Sequence, residues 1–438
     1  MTTKLVSTLS PQPIKRSINQ LAIFGGQPAL KEKLHVGRPN IGNRERLIRR
    51  FNDLLDRRWL TNDGPYIYEL ERQIAELVGV KHCIGICNAT IALEITIRAL
   101  GLTGEVIVPS FTFIATAHAL QWQEITPVFC DIDPQTHNLD PRKVEALITP
   151  RTSGIIGVHV WGRGCNVEAL SEIAERRKLK LIFDAAHAFG CSYQGQMIGN
   201  FGHAEIFSFH ATKFFNTFEG GAIVTNDDEL MAKIRLMKNF GFSSGYDNVI
   251  YIGTNGKMSE ISAAMGLTNL ESLDEFIATN YQNYKQYQAE LQGLPGVKFI
   301  TYNEQEKNNY QYVVLEIDEQ ITGIHRDQLV QVLHAENVLA RRYFYPGCHR
   351  MEPYRSYFPH SGLLLPETEK LVQRVILLPT GTAVGAEEIS KIAHLIRFVL
   401  AHDRQIGKKL SCNNHPKIPS LLGESEWYAA SLVEGQLS

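Results

Sequence analysis

Three short segments carry side chains whose types and spacing could act on one ligand. The segment 88–90 (Asn-Ala-Thr) starts a predicted helix, Asp184 follows the apolar run 179–183, and Lys213 lies among aromatic residues. A helix N-terminus offers free backbone N–H groups to a phosphate, and a lysine amine can bond covalently to an aldehyde. A carboxylate can keep a pyridine nitrogen protonated. Together these groups meet the requirements of pyridoxal 5′-phosphate, which we therefore predict as the cofactor.

Each segment has a simpler explanation when it is taken alone. Asn88 or Thr90 could be an ordinary helix N-cap, and Asp184 could only cap a helix. His187, three residues further on, could be a structural histidine, and Lys213 could be a surface lysine in a hairpin. The combination of phosphate site, carboxylate and lysine is far more specific than any one of its parts.

Strands and helices alternate through the first half of the chain. Apolar runs predict strands within 82–87, 105–110, 126–133, 153–162 and 180–187, and helices are predicted over 44–58, 65–79, 89–101, 111–123 and 167–179. This alternation predicts an α/β fold, with a mostly parallel sheet that helices cover on both faces. Ligands of such sheets bind at the carboxyl ends of the strands, where the candidate residues stand.

The pattern changes after about residue 207. The segment 206–226 predicts two short strands joined by a loop, and a long helical region follows over 258–293. Later strands are predicted within 296–301, 312–317 and 375–379, with a helix near 386–403. We predict an N-terminal arm (1–43), a large cofactor-binding domain (44–290), a small C-terminal α+β domain (291–403) and a C-terminal tail (404–438).

Composition narrows the class of protein. The 438 residues include 44 Lys and Arg against 46 Asp and Glu, a net charge of −2 that favours no nucleic-acid or membrane partner. The chain has no apolar stretch typical of a signal peptide or a transmembrane helix, so a cytoplasmic location is expected. Seven scattered cysteines without a CxxC pair favour neither disulfides nor a metal site. The absence of G-x-G-x-x-G after the first strand argues against a Rossmann oxidoreductase, and no P-loop is present.

Many further segments, in order, resemble one known family. They are IFGGQPAL (23–30), WLTNDGP (59–65), CNATIAL (87–93), VPSFTFIATAHAL (108–120), PVFCDID (127–133), FDAAHAFGC (183–191), SFHATKFFNTFEGGAIVTN (208–226), GTNGKMSEISAAMGL (253–267) and YFYPGCH (343–349). From residue 23 to about 400 the chain resembles the sugar aminotransferases of the DegT/DnrJ/EryC1/StrS family. The resemblance implies a fold-type I pyridoxal-phosphate transferase, with a large mostly parallel-sheet domain and a smaller C-terminal α+β domain.

The resemblance also implies roles for the candidate residues. Lys213 matches the lysine that holds the cofactor as a Schiff base and moves the proton between the carbons of amino acid and cofactor. Asp184 matches the carboxylate on the pyridine nitrogen, and His187 matches a glutamine or histidine near the 3-hydroxyl group. Phe113 matches the aromatic residue that stacks on the ring. The phosphate-binding positions of the family correspond to Ala89, Thr90 and Ser208.

One matched residue implies a shared active site. Asn255 corresponds to an asparagine that reaches the cofactor phosphate of the neighbouring subunit, so the resemblance implies a homodimer. The chain departs from the family's common G-x-N-x-R-M pattern at Lys257, which leaves any role of that arginine unassigned. It also departs at Asn88, where SGT or SAT is commoner.

The resemblance implies transfer of an amino group from L-glutamate to a ketone of a nucleotide-linked 6-deoxyhexose, with dTDP-4-keto-6-deoxyglucose as the favoured acceptor. Trp59, Thr61, Asn62 and His349 lie in segments that border the sugar-nucleotide site in relatives, and we take the last three as substrate-binding candidates. Arg341 or Arg342 could meet a diphosphate or a donor carboxylate.

Three alternative functions are considered from the sequence. A related subgroup replaces the lysine by histidine and performs dehydration, and Lys213 argues against it. A second alternative is an aminotransferase for a ketone or aldehyde that is not nucleotide-linked, in natural-product biosynthesis. A third is a non-catalytic protein that binds pyridoxal 5′-phosphate for regulation.

Overall fold

The computed structural model describes residues 15–412. Its central sheet is formed by β1 (His82–Ile86), β2 (Glu105–Pro109), β3 (Thr126–Cys130), β4 (Thr152–Val158), β5 (Lys180–Asp184), β6 (Ala204–Ser208) and β7 (Gly221–Thr225). The strand order is β1-β7-β6-β5-β4-β2-β3, and β7 runs antiparallel to both of its neighbours, whereas the remaining pairs are parallel. The predicted mostly parallel sheet is confirmed.

Helices cover both faces of this sheet. They are α1 (Arg44–Arg57), α2 (Pro65–Val78), α3 (Ala89–Ala99), α4 (Ala115–Gln121), α5 (Pro141–Val144), α6 (Val167–Arg177), α7 (Asp228–Met237), α8 (Glu260–Leu270) and α9 (Leu273–Leu291). Alternate strand residues pack on opposite faces: Ile182 lies in the core under α3, α4 and α7, whereas Leu181 and Phe183 lie in the core under α6. Burial on both faces explains why these strands are continuous apolar runs in the sequence.

The chain after residue 291 forms a second, antiparallel sheet. Its strands β8 (Val297–Phe299), β9 (Val313–Ile317) and β10 (Val375–Leu378) are joined in that order. The accompanying helices are α10 (Glu319–Thr322), α11 (Arg326–Ala335), α12 (Tyr354–Tyr357), α13 (Pro366–Val372), α14 (Ala386–Ala401) and α15 (Asp403–Cys412). Two-stranded pairs join Leu34–His35 to Val338–Leu339, Ser192–Tyr193 to Gln196–Met197, and Phe242–Ser244 to Asn248–Val249.

The described part of the predicted N-terminal arm packs on this second sheet. Leu21, Leu30 and Leu34 are buried in the same core as β9 and β10. Lys15 forms a buried ion pair with Glu336 at 2.9 Å, and Glu336 also accepts hydrogen bonds from two backbone N–H groups of the arm. Residues 1–14 of the arm and residues 413–438 of the predicted tail lie outside the described residues.

No helix within residues 15–412 is long and apolar enough to cross a membrane.

Candidate active site

A cavity of about 460 Å³ lies at the carboxyl edge of the central sheet. Its walls come from the loops that follow β1, β2, β5 and β6, together with a segment from the C-terminal part of the chain. Among its lining residues are Ala89, Thr90, Phe113, Asp184, His187, Ser208 and Lys213. The structure therefore brings together seven residues that were singled out from separate segments of the sequence.

One end of the cavity lies at the N-terminus of α3. Asn88 caps α3, because its Oδ1 accepts a hydrogen bond from the backbone N–H of Ile91 at 2.9 Å. Gly221 pairs with Ser208 in the sheet and packs against the first turn of α3, where a Cβ would lie 2.9 Å from the nitrogen of Ala89. Backbone N–H groups of the first helical turn and the Ser208 hydroxyl thus line one end, with the positive end of the helix dipole behind them.

Asp184 ends β5 and is almost fully buried, with 6% of its surface exposed. Its Oδ2 accepts a hydrogen bond from the Thr116 hydroxyl at 2.9 Å, and its Oδ1 accepts one from the backbone N–H of Ala186 at 3.1 Å. Burial raises the pKa of Asp184, and these two hydrogen bonds and the nearby Lys213 oppose that rise. The carboxylate is therefore held in one orientation beside the cavity.

Lys213 lies in the loop between β6 and β7, and the loop is fixed by its neighbours. Phe209 and Phe215 are buried and pack edge to face at 4.9 Å. Asn40 donates a hydrogen bond to the carbonyl of Phe214 at 2.9 Å, so the N-terminal segment braces the loop from outside. The amine of Lys213 lies 3.4 Å from the Tyr312 hydroxyl and faces the cavity.

His187 lies on the wall beside Lys213. It is buried against Trp161 and Phe344, whose rings are nearly parallel to its own at centroid distances of 5.9 and 5.8 Å. Burial, and then the nearby Lys213, lower the pKa of His187 well below its usual value. The imidazole is therefore neutral at physiological pH.

Phe113 lines the cavity with 57% of its surface exposed, as expected of a ring that faces a ligand. Several other contributors were not predicted from the sequence. Thr116 orients Asp184, Tyr312 contacts Lys213, and Tyr343 and Phe344 form part of the wall. A threonine and three aromatic residues carry no chemical signature in the sequence, and these four join the site only through tertiary contacts.

The substrate-binding candidates lie outside the cavity lining. Thr61 and Asn62 are exposed in the loop between α1 and α2. His349 is buried, with its Nδ1 at 2.6 Å from the Ser110 hydroxyl and its Nε2 at 2.6 Å from Glu369. In this structure His349 has both ring nitrogens engaged within the chain, and so it is placed as a buried link between two segments.

Asn255 also lies away from the cavity lining. It is exposed, and its side-chain oxygen accepts a hydrogen bond from Lys257 at 2.7 Å. Arg342 pairs with Asp327 at 3.1 Å, and Arg341 donates a hydrogen bond to the hydroxyl of Tyr343, a cavity residue. Of the two arginines, Arg341 is thus the one tied to the wall of the site.

Residues 15–412 contain no group of three or more His, Cys, Asp or Glu side chains placed to hold a metal ion.

Known proteins share this sequence and architecture. The model of the DegT/DnrJ/EryC1/StrS aminotransferase family matches residues 42–397. The chain is 39% identical over 344 residues to the dTDP-4-amino-4,6-dideoxy-D-glucose transaminase of Escherichia coli. The aligned region covers 77% of this chain and 91% of that relative. It is also 36% identical over 334 residues to the GDP-perosamine synthase of Caulobacter vibrioides. That aligned region covers 74% of this chain and 87% of the relative.

A solved structure is similar over nearly the whole chain. DesI, crystallised in the presence of its TDP-sugar product, is 50% identical, with a TM-score of 0.87 over 90% of this chain and 100% of its own. The match to the family model spans the central sheet, the lysine loop and the second sheet. The chain therefore belongs to the DegT/DnrJ/EryC1/StrS aminotransferase family.

Proposed function

We propose that this aminotransferase uses pyridoxal 5′-phosphate to move an amino group from L-glutamate to the keto group of a nucleotide-linked 6-deoxyhexose, with dTDP-4-keto-6-deoxyglucose as the acceptor. One observation carries the proposal: a lysine amine, a buried carboxylate and the N-terminus of α3 line one cavity. These are the three groups that this cofactor requires of a protein.

The residues present fit the cofactor. The cavity has an anion-binding end at Ala89, Thr90 and Ser208, and a carboxylate at Asp184. The exposed ring of Phe113 offers a flat apolar surface to an aromatic group. The cavity volume of about 460 Å³ lies in the range of small-molecule sites.

Pyridoxal 5′-phosphate, when bound, supplies an aldehyde that can take up and release an amino group and a ring that accepts electrons. The Lys213 amine would hold the cofactor and, once released, accept and return a proton at its Nζ. Asp184, oriented by Thr116, would hold the proton on the ring nitrogen through its carboxylate. His187 and Phe113 would fix the position of the ring between them.

Three similar proteins support a nucleotide-linked sugar as the acceptor. The name of the E. coli relative gives a dTDP-linked dideoxy amino sugar, the name of the Caulobacter relative gives GDP-perosamine, and DesI was crystallised in the presence of its TDP-sugar product. The names of the two relatives thus give different nucleotides, dTDP and GDP. We favour dTDP because the 39% and 50% identities belong to the proteins whose names give a thymidine-linked sugar.

The proposal is tested by separating the two halves of the reaction. The protein is loaded with pyridoxal 5′-phosphate and mixed with L-glutamate, which is expected to remove the visible absorption band of the cofactor. Adding dTDP-4-keto-6-deoxyglucose is then expected to restore it. GDP-linked 4-keto and dTDP-linked 3-keto sugars serve as competing acceptors.

Variants and outcomes make this test specific. Lys213→Ala should lose turnover by about a thousandfold or more, whereas Lys370→Ala, at an exposed position of α13, should behave as wild type. An unchanged band with L-glutamate would refute the donor. Recovery only with a ketone that carries no nucleotide would replace the proposed acceptor by one from natural-product biosynthesis.

A further inference from the structure

Trp161 is the largest completely buried side chain within residues 15–412, and its backbone is strained. It follows β4 with φ 64° and ψ 10°, a left-handed conformation that bulky side chains rarely adopt. Backbone hydrogen bonds hold the turn, since the N–H of Gly162 donates to the carbonyl of His159 and the N–H of Val160 donates to Asn138. Strain of this kind persists where the surroundings over-determine it, and it concentrates at functional sites.

In this conformation Trp161 donates hydrogen bonds to two histidines. Its indole N–H donates to Nδ1 of His137 at 3.1 Å, and its backbone N–H donates to Nδ1 of His187 at 3.4 Å. Neither N–H of Trp161 can accept a hydrogen bond, so both Nδ1 atoms are acceptors and carry no proton. In a neutral imidazole the remaining proton is then on Nε2.

His137 connects Trp161 to the second sheet. It is fully buried, and its Nε2 donates to Glu316 of β9 at 3.2 Å. Glu316 in turn accepts a hydrogen bond from Lys298 at 2.6 Å. Although burial opposes the shift, the hydrogen bonds from His137 and Lys298 keep the pKa of Glu316 below its usual value. The acceptor for His137 is therefore a charged carboxylate, which favours its Nε2–H form.

His187 is the cavity end of this chain of contacts. Its ring lies nearly parallel to those of Trp161 and Phe344, with interplanar angles of 16° and 11°. No hydrogen bond within residues 15–412 involves its Nε2, and the residue lines the cavity. With Nδ1 engaged and the ring plane fixed, Nε2–H is the polar group that His187 offers to a ligand.

We propose that Trp161 is a positioning residue that fixes His187 as a neutral hydrogen-bond donor, with Nε2–H available in the cavity for an oxygen acceptor of the ligand. The same contacts extend through His137 to Glu316, so the second sheet helps to hold Trp161 in place beside His187. The donor state of His187 is a property of the cofactor-free chain, and only the identity of its acceptor rests on the proposed function.

The first test measures the proton position directly. Nitrogen-15 NMR of histidine-labelled, cofactor-free protein at neutral pH is expected to show His187 with a protonated Nε2 and an unprotonated Nδ1, assigned by the signal that His187→Asn removes. Trp161→Phe removes the indole hydrogen bond to His137 that anchors residue 161 from its side-chain end. The backbone N–H of residue 161, which lies 3.4 Å from Nδ1 of His187, is then expected to shift, and a mixture of both tautomers is expected. Trp122→Phe is the matched control, since Trp122 is 78% exposed and away from the cavity. An unchanged His187 signal in Trp161→Phe would overturn the proposal.

The second test uses equilibrium affinity for pyridoxal 5′-phosphate. Trp161→Phe is expected to weaken binding by about three- to tenfold, the effect of one hydrogen bond, and Glu316→Gln is expected to weaken it less. If both act through His137, the double variant should be no weaker than Trp161→Phe alone. Additive losses of affinity would indicate two independent packing defects and would contradict a connection of Glu316 to Trp161 through His137.

Failure of this inference can be told apart from failure of the proposed function. A wild-type chain that binds no pyridoxal 5′-phosphate would reject the function, while the NMR measurement on the cofactor-free chain would still decide the role of Trp161. Glu316→Gln keeps the shape of the side chain, so the question stays testable if Trp161→Phe does not fold.

Discussion

Asp184 is a buried carboxylate whose surroundings in the cofactor-free chain oppose its charge. Burial raises its pKa, and the hydroxyl of Thr116 and the N–H of Ala186 offset that rise only in part. A protonated ring nitrogen beside the carboxylate would stabilise the charge that burial disfavours. The residue that we propose to bind the cofactor is thus expected to weaken the fold when no cofactor is bound.

Because burial disfavours the charge of Asp184, we predict that Asp184→Asn stabilises the cofactor-free protein. A raised pKa means that the folded state binds the proton more tightly than the unfolded state, so the wild type loses stability as pH rises through that pKa. Asp184→Asn should therefore melt at a higher temperature near neutral pH, and the difference should vanish below about pH 4. Thermal unfolding at several pH values measures this.

Asp131→Asn is the matched control, for which the expected shift in melting temperature has the opposite sign. Despite the effect of burial, hydrogen bonds from Lys143, Glu367 and Thr368 hold the pKa of Asp131 below its usual value. That contribution is present above the unfolded pKa and is lost as pH falls, so Asp131→Asn should lower the melting temperature at neutral pH. A destabilised Asp184→Asn at neutral pH would contradict the account of the site.

At the scale of elements, α3 shows how a helix end becomes a binding group. The sequence predicts the helix and leaves Asn88 and Thr90 open as its cap; the structure assigns the cap to Asn88 and the first helical residue to Ala89. The cap fixes the place at which the first N–H groups meet the cavity. The stability of α3 and the proposed phosphate binding therefore both depend on its first turn, the one through the Asn88 side chain and the other through backbone N–H groups.

Substitutions at Asn88 should separate these two properties. Asn88→Asp keeps a good cap, so stability should change little, but its carboxylate would repel a phosphate and weaken cofactor binding. Asn88→Ala removes the cap and should lower the free energy of unfolding by about 1 kcal/mol. Chemical denaturation and cofactor titration measure the two effects. Equal cofactor affinity in Asn88→Asp and wild type would show that the phosphate does not bind at this helix.

The sequence predicts the secondary-structure elements better than it predicts which residues of other segments complete the active site. Strands such as β5 and β6 follow from apolar runs, whereas Lys213 stands out only in combination with Asp184, the start of α3 and the family resemblance. The predicted helical region 258–293 proves to be two helices, α8 and α9, separated at Ser272. Trp161 and Tyr312 were missed because their roles arise from hydrogen bonds and packing across distant segments, which no local pattern encodes.

At the scale of the whole molecule, remote segments hold the cavity together. Ser110 and His349 join the loop after β2 to the C-terminal part of the chain at 2.6 Å, close to cavity residues Phe113 and Phe344. Asp131, after β3, accepts a hydrogen bond from the backbone N–H of Thr368 in α13 at 2.8 Å. The geometry of the site is therefore a property of both sheets and of their contact.

Several large apolar side chains are exposed at the surface of the molecule. Large apolar residues are exposed at Trp59, Leu60, Phe240, Ile252 and Ile261, and exposed Asn255 lies among these segments. Exposed apolar side chains that form a patch mark an interaction surface. We propose that a second copy of the chain covers them and that its Asn255 completes the neighbouring active site.

A pairing experiment tests the shared site. Chains with different affinity tags are co-expressed and heterodimers are isolated. Lys213→Ala paired with Asn255→Ala should regain about half of the wild-type activity, because one of the two sites has both residues intact. The double variant Lys213→Ala/Asn255→Ala paired with wild type should regain little, since each site then lacks one residue. The reverse result, with activity only in the second pairing, would place Asn255 in the same chain's site, and the absence of heterodimers would reject the dimer itself.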